Sequence, residues 1–278
     1  MITTSVRAIV KLAAFVFAIA VGAASANGQD IPTGGAPVRG QITAVGGATL
    51  NFFQQYKRVM HLMDLKEISR EALAEYDKAV DLLTAGDSDG ALDALESAQV
   101  IDVLKEESRV LWAPYSTLIG DRGLYPRGIA FLQRLTLEHP KLPHLHTDLA
   151  ATYGMYAGWL KMHDPRHMLG VSQLSLSEYE VALALGPDAF QANYGHATYL
   201  SYMPGREADW EKEFRKLIAM RPADMHGYPF PAVYQSFIDG LIRSGQEQKA
   251  RLVLKEALAL YPKSPGLQSL ARKLPEQQ

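Results

Sequence analysis

The sequence predicts an all-α fold, a solenoid of about five tandem helix-turn-helix repeats, on three observations. From Asn51 onward apolar residues recur at the three- and four-residue spacing of helices, and alternating strand patterns are scarce. Pro140, Pro187, Pro222 and Pro262, each closing an apolar periodic segment, stand 47, 35 and 40 residues apart. Of 278 residues, 47% are hydrophobic and 21% charged, so the chain can bury a core and is neither disordered nor wholly embedded in a membrane.

The first segment reads as a targeting signal. Arg7 and Lys11 precede an uncharged apolar core, Leu12 to Ala23, and Ala24-Ser25-Ala26 supplies the small residues of a cleavage site. That core is too short to span a bilayer, which takes ~20 apolar residues. The expected product is a periplasmic or secreted protein starting at Asn27, with no membrane span after cleavage. Residues 27–50 are rich in Gly and Pro and read as a flexible leader, because they cannot bury enough surface to offset their ordering entropy. Residues 51–70 hold a first helix. Asn51 stands as its N-cap, Phe52, Tyr56, Val59 and Met63 form one face with Phe53 and Met60 beside it, and that face is expected to cover the open end of the array.

The repeats occupy residues 71–264. Tyr234, Phe237, Ile238, Leu241, Gly245, Ala250, Leu254, Ala257 and Pro262 give the series aromatic, large, small, large, glycine at a turn, small, large, small, proline, with Ile238 as the one departure. Small residues let two antiparallel helices approach, glycine permits the tight turn, and proline ends the second helix. Trp112, Tyr115, Ser116, Ile119, Gly123, Gly128, Leu132, Leu135 and Pro140 repeat the series; so, less completely, do Ala79 to Ala98 and Tyr194 to Pro222, the latter with Trp210 where Ala is usual. The remaining unit, third along the chain, is split: Leu149, Ala150 and Tyr153 belong to one helix and Tyr179, Ala182 and Pro187 to the other, with an insertion around Gly154 to Pro165 too long for an ordinary turn. Asp164 and Pro165 read as N-cap and first residue of the restarted helix. Met225 to Pro231 reads as an irregular aromatic loop, and Ser264-Pro265 starts a C-terminal capping helix within residues 265–278. In this register the chain resembles the tetratricopeptide repeat (TPR) family.

That resemblance implies a superhelix whose first helices line a concave, partner-binding face. Chaperone-binding members hold a peptide carboxylate there with Lys, Arg and Asn. The matching positions here carry Tyr76, Val80, Ala113, Thr117, Thr147, Ala151, Gly195, Tyr199, Gln235 and Asp239, so the charge clamp is missing and the lining is small, polar and aromatic. His196, Tyr199 and Met203 are spaced by three and four residues and share a helix face, with Tyr202 alongside. Together with Gln235 and Asp239 they are the candidate binding residues.

Other chemistries find little footing. With 28 Lys plus Arg against 30 Asp plus Glu there is no broad cationic surface for nucleic acid. The absence of Cys removes disulfides, thiolate metal sites and cysteine nucleophiles. Five of the eight histidines lie between His139 and His167, but Pro140, Pro143 and Pro165 break their spacing, so they read as surface and interface residues and not as a metal set. Asp87-Ser88-Asp89-Gly90 lacks the liganding Glu of a calcium loop and reads as a turn. No nucleophile with a base, phosphate loop or cofactor motif is found, so no enzyme and no cofactor are expected.

The expected function is an exported interaction scaffold that binds a protein or peptide partner in an aromatic, uncharged groove. The alternative is a solute-binding helper holding a small organic ligand, since exported repeat proteins similar to the T components of TRAP-type transporters enclose a pore for such ligands. Mass spectrometry of the exported protein should find Asn27 as the first residue; retention of Lys11 would refute the cleavage site.

Overall fold

The computed structural model describes residues 47–61, 68–220 and 230–274. The signal peptide, most of the leader, Met63, Pro222, residues 225–229 of the aromatic loop and the last four residues lie outside that set. The described residues belong to two compact units that divide between Pro140 and Lys141.

The first unit holds α1 (Gly47–Met60), α2 (Arg70–Thr84), α3 (Ser88–Ile101), a 3-10 turn (Glu106–Leu111), α4 (Trp112–Arg122) and α5 (Tyr125–Glu138). Helices α2 and α3 form one antiparallel pair and α4 and α5 the next. Ser69 caps α2, its Oγ accepting from the Ala72 amide at 3.1 Å, and Asp87 caps α3 through the Gly90 amide at 2.9 Å. The acidic tetrapeptide at Asp87 is thus helix-start chemistry. Asp102, just beyond α3, is buried and fastens the pair: one carboxylate oxygen accepts from the Ser69 amide at 2.6 Å and the other meets Lys105 at 2.8 Å. Burial alone would raise its pKa, but the hydrogen bonds from Lys105 and Ser69 outweigh it and hold the carboxyl below its usual range.

Helix α1 departs from expectation in two ways. It begins at Gly47, so Asn51 lies inside it and accepts from the Gln55 side chain at 3.1 Å instead of capping. Among the described side chains Phe53, Tyr56 and Met60 of the expected cluster are buried, with Thr49 beside them, and Phe52 is half-buried. The stripe rests on α2 and also on α4, so α1 crosses the first helices of two successive pairs and does not cover an end alone.

The second unit holds α6 (Pro143–His163), α7 (Pro165–Leu185), α8 (Phe190–Leu200), α9 (Glu207–Ala219), α10 (Phe230–Arg243), α11 (Glu247–Leu260) and α12 (Pro265–Lys273). The insertion in the third repeat is not a loop. Both α6 and α7 run 21 residues, against 11 to 15 for the other paired helices, and the extra chain lengthens the pair. Small residues hold the long pair close: Ser175 is fully buried and donates to the Ala150 carbonyl at 2.7 Å, beside Gly154. Asp164 makes no cap to the backbone of α7; its carboxylate instead meets Arg166 at 3.1 Å and His167 at 2.7 Å. Helix α12 packs on α10 and α11, its start capped by the Ser264 hydroxyl.

The turns explain the register. Gly86, Gly123, Gly205 and Gly245 all have φ between 64° and 86°, a left-handed conformation that disfavours any side chain, and each joins the two helices of a pair. The third pair lacks such a glycine and turns at Asp164-Pro165 instead. Trp210, the bulky departure in the fourth repeat, is buried with its ring edge-on to Phe214 and Phe237. Gly240 on the next repeat makes room: a Cβ there would stand 3.3 Å from the indole and from Ser201. Ala250 is fully buried on α11. Ala250→Leu should therefore overpack the contact and cost ~1–3 kcal/mol; an unchanged denaturant midpoint would contradict the register.

Candidate functional site

The candidate residues sit on α8, on the turn after it and on α10. Tyr194, Ala197 and Leu200 point into the core of the unit, and Ser201 is buried with them. The Tyr194 hydroxyl lies 2.8 Å from the Ser236 hydroxyl, which joins α8 to α10. Burial raises the Tyr194 pKa, so it stays a neutral hydrogen-bonding group.

The face shared by His196, Tyr199 and Met203 is largely committed to neighbouring helices. His196 is turned onto α9, its Nδ1 lying 2.9 Å and 3.0 Å from the two carboxylate oxygens of Glu213. Tyr199 is half-buried toward α7, where its hydroxyl meets Ser172 and burial raises its pKa. Gly195 abuts the ring of Tyr179 on α7 so closely that a methyl group would overlap it. Met203 is half-buried. Gln235 is covered in part by α12: its amide donates to the Ser264 hydroxyl at 3.5 Å and lies where a side chain at Gly266 would stand.

Tyr202 differs. It follows the last turn of α8, is 67% exposed, and carries the Arg243 guanidinium over its ring at 4.0 Å from the centroid. Arg243 is anchored in turn, donating to the Ser201 hydroxyl at 2.7 Å. Asp239, one helical turn before Arg243, is exposed to solvent. Packing around its carboxyl raises its pKa, against the opposing pull of Arg243 and Lys273. The structure thus places Tyr202 and Arg243 in contact, with Asp239 one helical turn away, a ring, a cation and an anion on two successive repeats. Arg243 was absent from the sequence-derived set. Its signal was the four-residue spacing from Asp239, which puts the two on one face of α10.

The other sequence-derived groove positions divide as sharply. Tyr76 and Val80 are buried, and Thr147 is buried with its hydroxyl turned back to the Pro143 carbonyl at 2.8 Å. Ala113, Thr117 and Ala151 are half-buried. The histidines are dispersed: His146 meets Glu178 at 2.7 Å, while His163 stacks on Trp159 with ring centroids 4.0 Å apart. Among the described residues no three His, Asp or Glu side chains converge as a metal set, and no helix is long and apolar enough to cross a membrane.

No protein-family model and no curated protein matches the chain. Among solved structures it is similar to TTC0263, a thermophilic TPR protein of Thermus thermophilus, at 16% identity over 73% of this chain and 98% of that one, with a TM-score of 0.54. The fold is that of a TPR solenoid. Weaker likenesses are to YrrB, described as a TPR protein with an unusual peptide-binding site (13% identity, 75% and 95% coverage, TM-score 0.43), and to MamA (19% identity, 76% and 99% coverage, TM-score 0.41).

Desolvation, the larger influence on Asp239, favours its neutral form in the folded chain, so any stability it lends is present at low pH and is lost as pH rises through its folded pKa. Asp239→Asn should therefore raise the unfolding midpoint at pH 7, and the gain should close as pH falls below the ordinary value of 3.8. A lowered midpoint at pH 7 would show that the Arg243 attraction dominates.

Proposed function

We propose that the protein is an exported, non-enzymatic interaction scaffold of the periplasm or the secreted fraction, and that it takes a protein or peptide partner on the Tyr202, Arg243 and Asp239 patch. The observation that carries this reading is the exposed Tyr202 ring held under an anchored guanidinium. Tyr and Arg are the side chains over-represented where truncation costs most binding energy, and a ring already fixed in place loses little entropy when a partner covers it. The patch also offers a donor and an acceptor within one turn of α10, suited to the backbone and side chains of a polypeptide.

Its openness favours a polypeptide over a small organic ligand, because small-molecule sites bury most of the ligand surface. Export is supported by the charge, apolar core and small-residue site at the N-terminus. The uncharged groove expected along the first helices gives way, in this proposal, to a patch with a cation and an anion beside its aromatic ring.

A photoreactive side chain installed at position 202 should crosslink a polypeptide in exporting cells, and Arg243→Ala should abolish that product. With the captured partner in hand, calorimetry should show Tyr202→Ala weakening binding by ~2 kcal/mol or more with little change in thermal unfolding. Tyr199→Ala should mainly lower stability. Intact affinity in the Tyr202 variant would remove the patch from the site.

A further inference from the structure

In the first unit α1 lays one apolar stripe across the helices of the repeats. Phe53 and Tyr76 stack with centroids 6.2 Å apart and planes 7° from parallel, and Tyr56 leans on Tyr76 at 6.0 Å. Phe53, Tyr56 and Met60 are all but fully buried, and Tyr76 is wholly so. Polar contacts fix the register: the Tyr76 hydroxyl donates to the Phe53 carbonyl at 3.1 Å, and the Tyr56 hydroxyl donates to the Val110 carbonyl at 2.7 Å. At the far end, Asp77 of α2 receives Lys57 at 3.4 Å and His61 at 2.9 Å. An amphipathic helix laid by one apolar stripe into a groove between other helices is a recurring mode of peptide recognition.

Three features set α1 apart from the repeats. It belongs to neither helix pair, yet it lies across the first helices of both, α2 and α4. The pairs are tied to each other without it: the Tyr115 hydroxyl donates to Glu96 at 2.9 Å, Arg127 reaches Glu96 and Asp93, and Arg122 donates to Ser88 at 2.9 Å. At 14 residues α1 is also too short to be stably helical alone in water, so its order depends on the groove.

We propose that α1 is a displaceable occupant of a helix-binding groove formed by α2, the 3-10 turn and α4. The groove's external partner is an amphipathic helix with α1's own pattern: aromatic residues at i and i+3, a large apolar residue at i+7, and a cation at i+4 opposite Asp77. This rests on the reading of the chain as a scaffold for polypeptide partners, but it concerns a different unit from the Tyr202 patch. Tethered in cis, α1 competes with any such helix at millimolar effective concentration and so sets a threshold for binding.

The test uses the full mature chain and a labelled synthetic peptide of residues 47–61, followed by fluorescence anisotropy. A Phe53→Ala, Tyr56→Ala variant, its own helix weakened, should bind the peptide about 10-fold or more tighter than the unaltered chain does. A peptide carrying the same two alanines should not bind. Failure of the variant to bind while α2 to α5 keep their hydrogen-exchange protection would overturn the proposal. So would loss of that protection, which would make α1 part of the unit's own core. Hydrogen exchange on the unaltered chain gives a second reading: amides of α1 should open about 10-fold or more faster than those of α2 and α3, and one common opening would overturn the idea. Because the peptide reads only the first unit, a failed crosslink at position 202 would leave this result standing, and the reverse holds equally.

Discussion

Two packed helices can lie close only where one of them gives up side-chain volume, and that steric constraint organises this molecule. Within the second pair, Gly128 faces Ile119 with no room for a methyl group. Between the third and fourth repeats Gly195 does the same for Tyr179, and in the last pair Ala250 and Ala257 are fully buried. Interiors are packed at crystal-like density, so each small residue fixes both the distance between two helices and which large side chain fills the space opposite. The left-handed glycine turns then return the chain at the right point for the next contact. Without this alternation the aromatic residues of the first helices would have no seat.

The same constraint shows how irregular repeats are tolerated. Trp210 occupies a position where the series has a small residue, and the volume is returned by Gly240 across the interface. The extra residues of the third repeat extend two helices in step, since paired helices that continue together satisfy their backbone groups internally, whereas a long loop would leave them to water. Stacked repeats contact mainly their neighbours, so such local exchanges do not propagate.

The aromatic residues outside these contacts acquire different fates from their surroundings. Tyr76 is closed over by α1, Tyr194 is bonded across to α10, Tyr199 is drawn toward the long α7, and Tyr202, just past the end of α8, stays open beneath Arg243. These are the same residue type on the first helices of repeats or just past them. What separates them is the length and placement of the neighbouring helix, which converts one tyrosine into core and another into surface.

By itself the sequence determined the all-α repeat fold, the register of its pairs, and the position of each glycine turn. Those features depend on local spacing, on φ preferences and on residue volume, all of which are written along the chain. The capping helix at Ser264-Pro265 was legible for the same reason. Where α1 starts and which helices it lies on, the helical form of the insertion, and the accessibility of each site residue were decided only in the tertiary structure. Spacing alone makes His196 and Tyr202 alike candidates for the groove, yet one meets Glu213, 17 residues away, and the other meets Arg243 on the next repeat. Exposure is a property of what lies opposite a side chain, and no periodicity within a single helix records its neighbour.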